Sequence, residues 1–354
     1  MTTSMAGAFA LEYVKTIGLV NVGTNGVGFA NPYDIAFGRG GRIFAINRHD
    51  APINVDPYDD TSIRVGIFNF DEEYLGEFGR GFGQGEGQLV LPVALAFDSR
   101  ERLHVTDEHN HRVTIFDTEG KVLDTWGEFG EGDGQLNGPS GIAIDGDDNV
   151  YIADQHNHRM QRFTLDGRYV TGWGGPGDGP GRLDMPWGVT VAPDGDVYVA
   201  DWRNDRIQRF TAGGEHVASY GESGDGDGHL RRPSSVAVDS EGHIYVADWG
   251  NERVQVLGSD GSFLLKLRGQ ATLSRWAEAW HEAEPEMMER RRRANHHPEL
   301  PPGLTPHQVS AQTESYFWGP VSVKLDAEGR LYVTESSRHR IQVYQRVFHV
   351  PPAP

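Results

Sequence analysis

The chain has 354 residues, 46 of them glycine, and carries a formal net charge of −19 with no cysteine. A chain this acidic lacks the basic surface that binds nucleic acids and anionic membranes, so we expect neither as a partner. The absence of cysteine excludes disulfides, thiol catalysis and thiolate metal sites.

The N-terminal segment gives two indications. Residues 1–10 contain no Lys or Arg and no long apolar run, so we expect no signal peptide, no membrane span and a soluble cytoplasmic protein. Residues 11–18 are similar to later segments such as 73–79. We therefore expect 11–18 to supply the last strand of the final repeat, where it would cover an exposed strand edge.

Six similar units follow. Four of them begin at Pro92, Pro139, Pro186 and Pro233, each 47 residues after the last, and two diverged units begin at Pro32 and Pro320. Each unit contains four short alternating stretches separated by Gly, Asp or Asn, a pattern typical of strands and turns. Four short antiparallel strands, a (innermost) to d (outermost), repeated six times predict an all-β, six-bladed β-propeller in one domain, 1–354. We expect the blades at 32–79, 92–127, 139–174, 186–221, 233–269 and 320–347 with 11–18.

The turns between strands b and c carry a family resemblance. Asn110-His111-Arg112 and Asn157-His158-Arg159, together with glycine-rich connectors such as 127–136, resemble NHL repeats. The resemblance implies a six-bladed propeller whose relatives include peptide-amidating lyases, lactonase-like hydrolases, strictosidine-synthase-like enzymes and RNA- or protein-binding modules. One fold hosts many functions, so the resemblance implies the fold and leaves several activities open.

The amidating lyases of this family place a metal-binding His directly after the proline of strand a in some blades. That position holds Tyr33, Val93, Ser140, Trp187, Ser234 and Val321 here. Only Asp34 matches, since an acidic residue follows such a His in those enzymes. We therefore do not expect their zinc site in this chain.

Two segments, 49–63 and 270–316, interrupt the repeat. The first falls in the b–c turn of blade 1 and the second in the connector between blades 5 and 6, so both would overhang one sector of one face. In the second, Trp276 and Trp280 lie four residues apart, on one helical face, and Pro285 suits the first turn of another helix. We expect a small helical lid whose tryptophans cover the mouth of the central channel, the alternative being two tolerated surface insertions.

Histidine occupies the same b–c turn position in three consecutive blades, as His49, His109 and His156. Three imidazoles suit a divalent metal such as Zn²⁺, and Asp34 or Asp50 would then be the general base. Equivalent points on neighbouring blades are as far apart as their distance from the axis, so these turns would have to lean inward. The alternative is three surface turn residues.

The opposite sector of the mouth is aromatic. Trp202 and Trp249 follow the b-strand aspartates of blades 4 and 5, and Trp187 stands at the channel entry. An aromatic wall with a few polar groups is typical of a small-molecule or peptide pocket, although core packing is the alternative for Trp187. The expected ligand-binding residues are Tyr33, Trp187, Trp202, Arg203, Ser234, Trp249, Trp276 and Trp280.

Other recurring residues indicate structure. An aspartate followed five residues later by an arginine recurs in four blades, as Asp107, Asp154, Asp201 and Asp248. This repetition predicts that the Asp caps its own turn and that the Arg binds the neighbouring turn. His111 and His158 are interpreted in the same way.

Two functional hypotheses follow. The first is a propeller that binds a small molecule or peptide at a lidded mouth, and for this function the sequence identifies no cofactor. The alternative is a metal-dependent hydrolase or lyase in the same funnel, with a divalent metal held by the three histidines. The oligomeric state stays open.

Overall fold

Strands of five or six residues recur along the computed structural model, which describes residues 4–6, 9–20, 26–48, 63–79 and 81–348. Within these residues the strands form six antiparallel sheets, and in blades 1 to 5 strands a to d follow one another in chain order. The innermost strands lie side by side in a closed ring, since each contacts the next and that of blade 6 contacts that of blade 1. The predicted six-bladed propeller is confirmed.

The strand and helix bounds follow the predicted blades. The chain starts with β1 Ser4–Ala6 and β2 Phe9–Ile17, then blade 1 with β3 Pro32–Phe37, β4 Arg42–Asn47, β5 Arg64–Asn69 and β6 Tyr74–Phe78. Blade 2 has β7 Pro92–Phe97, β8 Leu103–Asp107, β9 Arg112–Phe116 and β10 Val122–Trp126, and blade 3 has β11 Pro139–Ile144, β12 Val150–Asp154, β13 Arg159–Phe163 and β14 Tyr169–Gly174. Blade 4 has β15 Pro186–Val191, β16 Val197–Asp201, β17 Arg206–Phe210 and β18 His216–Tyr220, and blade 5 has β19 Pro233–Val238, β20 Ile244–Asp248, β21 Arg253–Leu257 and β22 Phe263–Leu267. The insertion has α1 Arg275–Ala283, α2 Pro285–Arg293 and α3 Pro306–Gln312, and blade 6 has β23 Pro320–Leu325, β24 Arg330–Glu335 and β25 Arg340–Phe348.

The apolar pattern of each strand matches its depth in the blade. Every residue of β12 is buried, because strand b lies inside its own blade and its two faces pack against the neighbouring blades. In β14 half-buried and exposed residues alternate along most of the strand, because strand d has one face toward solvent. The sequence therefore reads as a continuous apolar run in strand b and as an alternating one in strand d.

Aromatic side chains pack across the boundaries between blades. Trp126 at the end of β10 lies 4.9 Å from Phe163 of blade 3, ring centroid to ring centroid. It also covers Gly167, whose φ of +76° suits glycine and where a Cβ would come 2.4 Å from the indole Cγ. Trp173 makes the equivalent contact with Phe210, at 6.0 Å. These contacts hold successive blades together.

The N-terminal strand closes the ring as expected. β2 pairs with β25 in antiparallel register, Ile17 opposite Ile341, and so supplies strand d of blade 6. The structure adds one strand that the sequence did not indicate, because β1 pairs with β2 and makes this sheet five-stranded. The outer edge of β2 is thus covered by β1, which also lies against β22 of blade 5.

Three helices form the insertion, two of them predicted. α1 begins after Ser274, whose hydroxyl accepts a hydrogen bond from the backbone N–H of Ala277, and α2 begins with Pro285. The third helix, α3, was missed, although Thr305 and Gln308 form a capping box at its start. In the described part of the chain, no helix is long and apolar enough to cross a bilayer.

Trp276 does not face the channel mouth, which corrects the predicted lid. Its side chain is 8% exposed and lies edge-on to Phe29 and Phe68, at 5.7 Å from each. Its indole N–H donates to the carbonyl oxygen of Glu72 in the c–d turn of blade 1. Trp276 thus packs between blades 6 and 1 as Trp126 packs between blades 2 and 3. The first helix of the insertion, α1, therefore packs against the outside of the ring where blades 6 and 1 meet.

Candidate functional site

A buried carboxylate orders each regular b–c turn around the mouth. In blade 3, Asp154 accepts hydrogen bonds from the backbone N–H of Asn137 and from the side chains of Asn157, Arg159 and Gln161. The Arg159 guanidinium also donates to backbone carbonyls of the connector that precedes the blade, including that of Gln135. The structural role predicted for these Asp–Arg pairs matches this network, which gives the turns fixed positions.

The network recurs in blades 4 and 5. Asp201 pairs with Arg206 at 2.8 Å, and Asp248 pairs with Arg253 at 2.7 Å. Burial raises the pKa of both carboxyls, against the lowering effect of the arginines and of the backbone N–H donors. The first residues after these aspartates, Trp202 and Trp249, therefore stand on rigid 3-10 turns.

The three tryptophans of the predicted aromatic wall lie next to one another. The ring centroids of Trp187 and Trp202 are 6.3 Å apart, and those of Trp202 and Trp249 are 6.4 Å apart. All three side chains are half-buried. They therefore form one continuous aromatic surface over blades 4 and 5.

This surface is part of a cavity of about 200 Å³, here called the mouth pocket. It is lined by Tyr33, Trp187, Trp202, Ser234, Trp249, Val321, Ser336 and Ser337. The structure thus brings together five of the eight expected ligand-binding residues. Val321, Ser336 and Ser337 were missed, although they align in the repeat with Trp187, Trp202 and Arg203.

Two arginines lie against the aromatic rings. The guanidinium of Arg232 is 4.9 Å from the ring centroid of Trp202, and that of Arg48 is 4.8 Å from the centroid of Tyr33. Arg48 also pairs with Glu108 at 2.9 Å. Arg203, expected at the site, is exposed and does not line the mouth pocket. Trp280 is 43% exposed, contacts His281 and does not line it either.

Asp34 lies deeper, in a narrow channel of about 30 Å³ along the axis. One carboxylate oxygen accepts a hydrogen bond from the Ser322 hydroxyl at 2.5 Å. The other lies 3.2 Å from Lys324 Nζ and accepts from the backbone N–H of Leu95 at 3.1 Å. Because both oxygens are engaged, Asp34 links three blades at the axis. The second expected base, Asp50, lies outside the described residues.

The described histidines do not assemble a metal site. His109 and His156 are exposed, and Nε2 of His156 lies 3.8 Å from a carboxylate oxygen of Glu108. His49 lies outside the described residues. Within the part of the chain that the structure describes, no three His, Asp or Glu side chains are placed to hold a metal ion. The predicted zinc centre includes His49 and therefore stays a prediction, since one of its three ligands lies outside the described residues.

Solved structures with this fold include several enzymes. A catalytically inactive virginiamycin B lyase from Staphylococcus aureus with quinupristin is 14% identical, with 95% of this chain and 99% of that chain covered and a TM-score of 0.55. A gluconolactonase from Xanthomonas campestris is 14% identical, with 98% and 95% covered and a TM-score of 0.58. A streptogramin B lyase is 12% identical, with 96% and 98% covered and a TM-score of 0.51. Identities this low show a common fold.

Sequence comparison gives the family. No curated protein matches the chain. The family model of the NHL repeat matches residues 136–163, 183–210, 230–257 and 317–344, which lie in blades 3, 4, 5 and 6. The first three matches end at the last residue of strand c, and the fourth ends inside β25, which is strand c of blade 6. The sequence repeats are therefore in phase with the blades. The chain is therefore an NHL-repeat protein with the fold of a six-bladed β-propeller.

Proposed function

We propose that this NHL-repeat propeller binds a small organic molecule or a short peptide at the mouth pocket. The observation that carries the proposal is the continuous surface of Trp187, Trp202 and Trp249 at the channel entry. Three half-buried indoles in a concave site keep apolar area in contact with water. A ligand that covers them gains the free energy of burying that area.

The size of the mouth pocket limits what enters it. Drug-sized ligands are usually held in cavities of about 300–1,000 Å³. The volume here is about 200 Å³, which suits one ring or one side chain. The bound group is therefore planar or apolar, and the rest of its molecule lies over the face of the propeller. Ser234 and Ser337 provide polar groups at the edge of the aromatic surface.

Binding is tested by tryptophan fluorescence during titration with fragment and short-peptide libraries. Trp202→Ala removes the central indole and is expected to weaken binding at least about tenfold, because the contact is worth on the order of 1.4 kcal/mol or more. Trp280→Ala is the matched control, since Trp280 is exposed and lies outside the mouth pocket. Equal affinities of the two variants would contradict binding at the mouth.

The alternative is a metal-dependent hydrolase or lyase that uses the same mouth. Its support is the fold shared with a virginiamycin B lyase and a gluconolactonase, and folds of this kind host many unrelated activities. The described residues place no metal cluster, so this function depends on His49 joining His109 and His156. Elemental analysis of dialysed protein separates the two. A stoichiometric metal that is lost in His109→Ala would favour the enzyme, and its absence would end the histidine-ligated version.

A further inference from the structure

A second and larger cavity lies between the insertion and blade 6. Its volume is about 490 Å³, within the range usual for small-molecule sites. We call it the insertion pocket. Its walls come from the insertion helices, from the end of β2 and from the turn between β24 and β25. Ser337 lines both this cavity and the mouth pocket.

The lining is basic, in contrast to the acidic chain as a whole. Arg291, Arg338 and Arg340 line the insertion pocket, whereas Glu314 is the one carboxylate among the lining residues. The net charge of the whole chain is −19. A site that concentrates arginine in such a chain indicates a preference for a negatively charged ligand.

Two of the arginines are paired with carboxylates. Arg291 forms an ion pair with Glu314, which also contacts His296. Arg340 pairs with the buried Glu335 at 2.8 Å. Glu314 is thus occupied by two basic side chains and does not offer its charge to the cavity.

Arg338 has no carboxylate partner among the described residues. Its Nη2 atom donates to the carbonyl oxygens of Ser310 and Ala311, near the end of α3, at 2.9 and 3.2 Å. Its guanidinium also lies 5.1 Å from the ring centroid of Trp318. Its Nε atom is buried and has no hydrogen-bond partner in the described structure. Leaving a charged donor buried without an acceptor costs free energy that an anion would recover.

A second polar side chain with an unpartnered nitrogen lines the same cavity. His281, in the last turn of α1, lines the insertion pocket, and its buried Nδ1 atom has no hydrogen-bond partner among the described residues. A guanidinium and an imidazole facing one cavity form a common arrangement for holding a carboxylate or phosphate oxygen.

We propose that the insertion pocket binds an organic anion, whose carboxylate or phosphate group is held by Arg338 and His281. The site is separate from the function proposed for the mouth, because the aromatic residues of the mouth do not line it. A ligand here would also hold the three insertion helices against blade 6. The competing explanation is that Arg338 only anchors the end of α3.

The experiment is calorimetric titration of the full-length protein with inorganic phosphate and, separately, with succinate. Arg338→Gln is expected to weaken binding at least about tenfold, the usual order for loss of a charge-assisted contact. Arg291→Gln is the second variant, because it leaves the contacts of Arg338 in place and releases the Glu314 carboxylate toward the cavity. Arg291→Gln is also expected to weaken binding. It therefore tests the proposal even if Arg338→Gln loosens α3.

Arg290→Gln is the matched control. Like Arg291→Gln, it removes one positive charge from α2. The Arg290 side chain, however, is 79% exposed and lies outside the insertion pocket. Affinity within about twofold of the wild type is expected for this variant and for Trp202→Ala. Binding of phosphate alone or of succinate alone supports the proposal and identifies the anion. It is overturned if neither probe binds at about 10 mM, or if Arg290→Gln weakens binding as much as Arg291→Gln.

Discussion

The Nδ1 atom of His339 accepts a hydrogen bond from the backbone N–H of Asn31 at 2.9 Å, joining the last blade to the first across 308 residues. His339 has a left-handed φ of +52°. The same bond links blades 2 and 3 through His111 and Gly138 and links blades 3 and 4 through His158 and Met185. The histidine of the NHL signature thus fastens one blade to the next, the structural role predicted for His111 and His158.

The closing bond requires a neutral imidazole, and we expect it to be sensitive to acid. Burial lowers the pKa of His339, and burial together with His109 and His156 lowers that of His111. An unfolded histidine has a pKa of about 6.5. As pH falls below that value, the unfolded state takes up protons before the folded state does, so the free energy of unfolding decreases until the lowered folded pKa is passed.

The test compares urea unfolding at pH 7.5 and pH 5.5. Asp205 occupies the equivalent position in blade 4 and accepts from Arg232 N–H, so a side-chain oxygen can replace the imidazole. His339→Asn is therefore expected to keep the bond and to reduce the loss of stability between the two pH values. An unchanged difference in the variant would show that other groups cause the pH dependence.

The buried ion pair of blade 5 is expected to be sensitive to truncation. The side chains of Arg253 and Asp248 are 4% and 0% exposed, and Arg253 also donates to the carbonyl oxygen of His229. Arg253→Leu leaves the carboxylate buried without its partner and should lower the free energy of unfolding by about 3–5 kcal/mol. Arg168→Leu removes an exposed pair with Asp166 and should change it by less than about 1 kcal/mol. Similar losses from both substitutions would contradict the network.

Trp276 is expected to matter for ring closure. Trp276→Ala removes its contacts with Phe29 and Phe68, and a loss of about 3–5 kcal/mol in the free energy of unfolding is usual for such a truncation. Limited proteolysis within 270–316 should become faster. Trp280→Ala is the control on the same helix and should leave both measurements near wild type. Unchanged proteolysis in Trp276→Ala would mean that other contacts hold the insertion.

Asp34 is expected to act in stability and not in ligand binding. Asp34→Asn weakens its interactions with Ser322 and Lys324 at the axis and should lower Tm by several degrees. Affinity for a ligand of the mouth pocket should stay within about twofold, because Asp34 does not line that cavity. Loss of a hydrolytic or lyase activity with Tm unchanged would instead restore Asp34 as a general base.

The sequence repeat predicts much of the fold and part of the site. The 47-residue spacing of the strand-a prolines locates the blades, and it aligns Trp202 with Trp249 at the mouth. The fifth strand in the last sheet was not predicted, because residues 4–6 have no counterpart in the repeat. The same holds for the insertion pocket, whose helices occur once in the chain.

By itself the sequence determined the number of blades, the closing role of residues 11–18 and five of the eight residues expected at the channel mouth. These features follow from local strand patterns repeated in register, so one blade predicts the next. Only the tertiary structure decided that Trp276 packs at the rim and that Asp34 bonds to Ser322, 288 residues away. Contacts between segments that occur once carry no period, and chain folding alone brings them together.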